Sequence, residues 1–130
     1  MCIRDSYGTD NHTIEFWVNP NNTTGNQYIY DQRVDSNNHY DVYIAKNPTL
    51  FTVHWQICIA GSFPITSLAP SDVTVTPGEW THIALVRNGT TFTIYKNGAA
   101  ADSTTSSASM PTLATALQIC LLYTSPSPRD

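Results

Sequence analysis

Apolar and polar residues alternate with a period of two over much of this chain. In the longest run, Phe51, Val53, Trp55, Ile57 and Ile59 fall on one side and Thr52, His54, Gln56 and Cys58 on the other. That is the pattern of a half-buried β-strand. Thr13–Asn19 repeats it, with Ile14, Phe16 and Val18 against Glu15 and Trp17. His39–Ala45 does so again, with Tyr40, Val42 and Ile44 against Asp41 and Tyr43. Gln27–Arg33 and Asp72–Thr76 read as shorter strands, and Leu113–Ile119 begins another. Proline, asparagine and glycine punctuate the gaps: Pro20 to Asn26, Val34–Asn38, Asn47-Pro48, Gly61–Ser71 and Pro77-Gly78 are predicted turns or loops. Ala99–Pro111 is small and polar and reads as a short strand or a loop. No segment combines a 3.6-residue apolar period with helix caps. Strands recurring about every 8–15 residues, with turn signals between them, predict an all-β sandwich.

One stretch fixes a local register. Trp80–Arg87 and Thr91–Lys96 alternate on either side of Asn88-Gly89, the strongest short hairpin signal. With Asn88-Gly89 as the two-residue turn, Arg87 is expected opposite Thr90, Leu85 opposite Phe92 and Ile83 opposite Ile94. On the other face Ala84 then meets Thr93, His82 meets Tyr95 and Trp80 meets Asn97. A second Asn-Gly, Asn97-Gly98, closes the far end.

Composition narrows the function classes. The 130 residues suit one domain or part of one. A net charge of −4 gives no electrostatic reason to expect nucleic acid or an anionic membrane. No apolar run approaches the roughly 20 residues of a membrane span, and residues 1–6 lack the apolar core of a signal peptide. Residues 1–6 and 120–130 differ in composition from everything between them and resemble translated sequencing adapters, so both are set aside as non-native ends. The domain is then 7–119, and Cys58 is its one cysteine, an inert small hydrophobe among apolar neighbours. The sequons at Asn11, Asn21, Asn22 and Asn88 mark polar loops and imply no glycan.

Two motifs carry a family resemblance. Trp80-Thr81-His82-Ile83-Ala84-Leu85-Val86-Arg87-Asn88-Gly89 leads to Phe92-Thr93-Ile94-Tyr95-Lys96-Asn97-Gly98, and Thr13-Ile14-Glu15-Phe16-Trp17-Val18-Asn19-Pro20 precedes them. Together they resemble the laminin G-like domains of the concanavalin A-like lectin/glucanase superfamily, over residues 7–119. The resemblance implies an antiparallel two-sheet jelly-roll sandwich, here incomplete at its C-terminus. It also implies an extracellular, cell-surface or virion-associated setting within a multidomain chain, and a glycan or surface protein as partner. A non-catalytic binding module is the first reading. A spacer domain of a phage tail or adhesin without its own ligand, and a fragment of a glycosidase, are the alternatives.

The candidate chemistry follows from these faces. Enzymes of the superfamily carry paired acids on one strand, and retaining hydrolysis needs carboxyls about 5–5.5 Å apart. Glu15 and Glu79 each lack an acidic residue two positions away, and Asp31 and Asp35 flank a turn, so no enzyme is expected. Sugar sites combine an aromatic platform with planar polar groups. Trp17, Tyr43, His54, Gln56, His82 and Tyr95 are the candidate ligand set, on the condition that their faces belong to one sheet. The competing reading makes each ring a core or sheet-cover residue. Laminin G-like domains often hold Ca2+ at the sandwich rim with carboxylate and carbonyl oxygens. The acidic family position falls near Asn38 or His39 here, which leaves Asp31, Asp35 and Asp41 as candidate ligands, against a reading as solvated acids. His54 and His82 have no third metal ligand at a recognisable spacing.

Overall fold

The structure, a computed structural model, describes residues 9–21, 25–47, 49–65, 73–110, 113, 115 and 118–121. Its strands in chain order are β1 His12–Val18, β2 Asn26–Asp35, β3 Asn38–Asn47, β4 Leu50–Ile59, β5 Ser62–Ile65, β6 Thr74–Val75, β7 Thr81–Asn88, β8 Thr91–Lys96, β9 Ala99–Thr105 and β10 Gln118–Leu121. They build two antiparallel sheets, β1-β7-β8-β9 and β10-β2-β3-β4-β5, with β6 added against β4. The chain passes between the sheets after β1, after β6 and after β9. This is the expected two-sheet sandwich.

The period-2 pattern becomes the core directly. Val42, Ile44, Phe51, Val53, Trp55 and Ile57 from the six-stranded sheet meet Ile83, Leu85, Phe92 and Ile94 from the four-stranded one. Trp55 and Phe92 join the two layers, their ring centroids 5.3 Å apart. Cys58 is buried and free, its thiol 3.3 Å from the Asn37 carbonyl oxygen.

The β7–β8 register departs from expectation. Asn88 pairs with Thr91, Arg87 with Phe92, Leu85 with Ile94 and Ala84 with Tyr95, so the turn is Gly89-Thr90. The reason is local. Gly89 takes φ +64° while Asn88 stays in the strand. Positive φ at the first central position alone is the type II′ pattern, which favours glycine there. Asn11 Oδ1 accepts from the Gly89 N–H at 2.7 Å. Arg87 lies over the Phe92 ring at 4.9 Å and donates to the Gly89 carbonyl at 3.0 Å. Sliding a pairing by two residues preserves both faces, so Ile83, Leu85, Phe92 and Ile94 still point inward. The second Asn-Gly behaves as the dipeptide rule says. Asn97 and Gly98 both have positive φ, +50° and +84°, the type I′ condition, and β9 follows as a full strand.

Within the expected 61–71 loop lies β5, anchored where Ile65 pairs with Ile57; residues 66–72 lie outside the described set. The expected last strand is β10, which runs on through Cys120 and Leu121. Residues 1–6 and 122–130 of the two set-aside ends lie outside the described residues.

Candidate ligand-binding faces

The six predicted ligand residues divide between the outer faces of the two sheets. Tyr43, His54 and Gln56 lie on the six-stranded sheet, and Trp17, His82 and Tyr95 on the four-stranded one. The condition that joined them into one surface is not met. Alternation tells which residues point outward. It does not tell which sheet a strand joins, and β1 pairs with β7 rather than with β2 or β3. His54 and His82 are parted in the same way.

On the six-stranded sheet, Tyr28 is opposite Tyr43 and Tyr43 opposite His54. Their rings form a ladder across β2, β3 and β4, with centroids 5.1 Å and then 4.8 Å apart, the second pair inclined by only 2°. Tyr43 and His54 therefore turn their ring faces to one another, while Tyr28 is tilted by 36° against Tyr43. His54 Nε2 is 2.9 Å from Thr52 Oγ1, and burial lowers its pKa.

Beside the ladder sits a charged cluster. Asp31 is opposite Asp41, and Arg33 opposite His39. The Arg33 guanidinium donates to Asp41 Oδ2, and its Nε lies 3.7 Å from Asp31 Oδ1. Its Nη1 is 3.3 Å from His39 Nδ1. Guanidinium only donates, so Nδ1 accepts and the His39 proton belongs on Nε2, 3.6 Å from Asp41 Oδ2. Burial, and then Arg33, lower the His39 pKa. Asp41 is fully buried. Burial first, then the hydrogen bond and negative charge of Asp31, push its pKa up to about 8 against the opposing pull of Arg33.

The three candidate calcium ligands are not all in this cluster. Asp35 stands apart from it, its Oδ1 accepting from the Asn37 N–H at 2.8 Å and from Asn38 Nδ2 at 3.2 Å in the β2–β3 turn. Arg33 already supplies the positive charge between Asp31 and Asp41. Among the described residues, no three His, Cys, Asp or Glu side chains converge as a metal site. The Asp31–Asp41 juxtaposition crosses strands, which a search for acids along one strand does not find.

The four-stranded sheet is organised differently. Trp17 is 65% exposed and Trp80 67% exposed. Trp17 pairs with His82, their ring centroids 5.1 Å apart. In the next row, Ala84 lies between Glu15 on β1 and Tyr95 on β8. A small side chain flanked by larger ones makes a shallow floor. His82 Nε2 is 3.9 Å from Glu15 Oε2. The backbone beneath is held by a reciprocal pair of bonds, His82 N–H to Asn97 Oδ1 at 3.0 Å and Asn97 N–H to the His82 carbonyl at 2.8 Å.

A tight turn leads into Trp80, which directly precedes β7 where that strand adjoins the end of β1. The Glu79 N–H donates to the Thr76 carbonyl at 3.1 Å across Pro77-Gly78, with Gly78 at φ +88°. Proline followed by a positive-φ glycine is the type II signature. The Gly78 N–H then donates to Asn19 Oδ1 at 2.9 Å, tying this turn to the end of β1. Trp80 was outside the predicted ligand set. Its two-residue spacing from His82, directly after the Pro-Gly turn, is the signal that places it there.

A laminin G-type family model, described as the concanavalin A-like lectin/glucanases superfamily, matches residues 4–123. No curated protein and no solved structure matches the chain.

Proposed function

For a chain that belongs to the concanavalin A-like lectin/glucanase superfamily, we propose a non-catalytic carbohydrate-binding module that works through the outer face of its four-stranded sheet. The setting we propose is a larger extracellular, cell-surface or virion protein. The observation that carries this reading is the pair of tryptophans, each about two-thirds exposed at neighbouring ends of β1 and β7. Large indole rings left in water are unfavourable unless a partner covers them. The C–H face of a pyranose is such a partner. Glu15, His82 and Tyr95 supply polar groups beside the rings for its hydroxyls.

The six-stranded face supports the reading by contrast. Its rings pack against one another and Arg33 is bound to Asp41 within the chain. Asp41, whose pKa burial and Asp31 push up, is fully buried and bound to Arg33. That leaves the pair poorly placed to act on a substrate.

Glycan-array screening of the chain, followed by calorimetry on any hit, tests the proposal. Binding that is lost in Trp17→Ala and Trp80→Ala supports it. Binding that both variants retain removes this face from consideration.

A further inference from the structure

Resting on the platform reading above, we infer that this face takes uncharged glycans and discriminates against sulfated or uronic-acid chains. Glu15 stands on the platform with its side chain 66% exposed. Glu79 directly precedes Trp80 and is also exposed. Ionised carboxylates only accept hydrogen bonds. Sugar hydroxyls can donate to them, whereas sulfates and ligand carboxylates cannot. The imidazole of this face, His82, has its Nε2 3.9 Å from Glu15 Oε2.

Positive charge is placed elsewhere. Arg33 is bound to Asp41 on the other sheet. Lys46 lies over the Phe51 ring at 5.4 Å. Arg87 is buried over Phe92. Lys96 pairs with Ile83 in the core-facing row. Among the described residues, then, no lysine or arginine lies on the Trp17–Trp80 face. At a separation of roughly 6 Å in water, one carboxylate weakens binding of an anionic group about threefold, and two together about tenfold.

The test measures binding of the full chain to cellohexaose, mannohexaose and chitohexaose, and to a heparin hexasaccharide and hexagalacturonate, at low and high sodium chloride. The expected result is at least one neutral ligand bound about tenfold or more tightly than either anionic one, with little dependence on salt. A Glu15→Lys/Glu79→Lys double variant is expected to close that gap. Preference for an anionic hexasaccharide, weakened by salt and lost in Trp17→Ala, would overturn the charge inference and leave the platform standing. Anionic binding that survives Trp17→Ala and Trp80→Ala overturns both. Absence of binding to all five probes overturns the platform reading, and the charge inference with it.

Discussion

The two outer faces contain the same kinds of side chain, arranged to opposite ends. On the six-stranded sheet, Tyr43 stacks on His54 with Tyr28 tilted against its other side, and Arg33 joins Asp31, His39 and Asp41. On the four-stranded sheet, Trp17 and Trp80 keep most of their surface in water, and Glu15 stands exposed nearly 4 Å from His82. Aromatic and charged residues on a sheet surface are not in themselves a ligand site. They become one when the chain leaves most of their surface open to water. By that measure the first face stabilises the fold, and the second is the one we propose as available.

The largest effect expected of that difference is on stability. Removing Arg33 leaves the fully buried Asp41 without its main donor. A buried acceptor left without its donor costs about 1–3 kcal/mol. Arg33→Ala is therefore expected to cost about 2 kcal/mol, with Tm falling by roughly 8 °C. Glycan binding is expected to stay unchanged. A variant that unfolds normally but loses ligand would reverse the roles of the two faces.

The same cluster predicts a pH dependence. Asp41 has a folded pKa of about 8 against 3.8 for the free side chain. Between those values the folded chain holds the proton more tightly than the unfolded chain. The stability from this group is therefore complete below about pH 4 and is lost as pH rises through 8. His39 and His54 act in the opposite sense. Their folded pKa values lie below 6.5, so their contribution is present above pH 6.5 and is lost on acidification through the folded values. Urea midpoints across this range are expected to fall on both sides. Asp41→Asn, which cannot ionise, is expected to flatten the alkaline limb alone. An unchanged alkaline limb would mean that Asp41 is ionised in the fold.

On the available face the signs reverse. Trp17→Ala and Trp80→Ala remove mostly exposed surface and are expected to change stability by no more than about 0.5 kcal/mol. If a sugar ring covers each indole, each loss is worth about 2 kcal/mol, or roughly thirtyfold in Kd. Calorimetry beside thermal unfolding separates the two quantities. A large Tm drop with unchanged Kd would make the tryptophans sheet cover after all.

How far the sequence reached follows from what alternation encodes. A period of two states which residues share a face, so the core of Val53, Trp55, Ile57, Leu85 and Phe92 could be read directly. Strand partners across distant sequence are set by crossovers, which leave little local trace. Trp17 and Tyr43 therefore looked like companions until β1 paired with β7. Turn chemistry was legible at Asn97-Gly98. It misled at Asn88-Gly89, where the side chain of Asn11, 78 positions away, accepts from the Gly89 N–H. Proximity across strands was hidden for the same reason: Asp31 and Asp41 are ten positions apart and directly opposite.

The smallest effect expected is also the closest test of the comparison. Tyr43 was predicted as a ligand residue, and it sits in the middle of the ring ladder between Tyr28 and His54. Cross-strand aromatic pairs are each worth about 0.5–1 kcal/mol beyond simple burial. Tyr43→Ala breaks both contacts and is expected to cost about 1–2 kcal/mol of stability. Tyr43→Phe keeps the ring and is expected to recover most of that. Neither substitution is expected to alter the Kd of any glycan that Trp17→Ala weakens, because Tyr43 lies on the opposite side of the sandwich. If Tyr43→Ala weakened that glycan as strongly as Trp17→Ala, the ladder would be a second binding surface, and internal stacking would no longer separate a structural face from an available one.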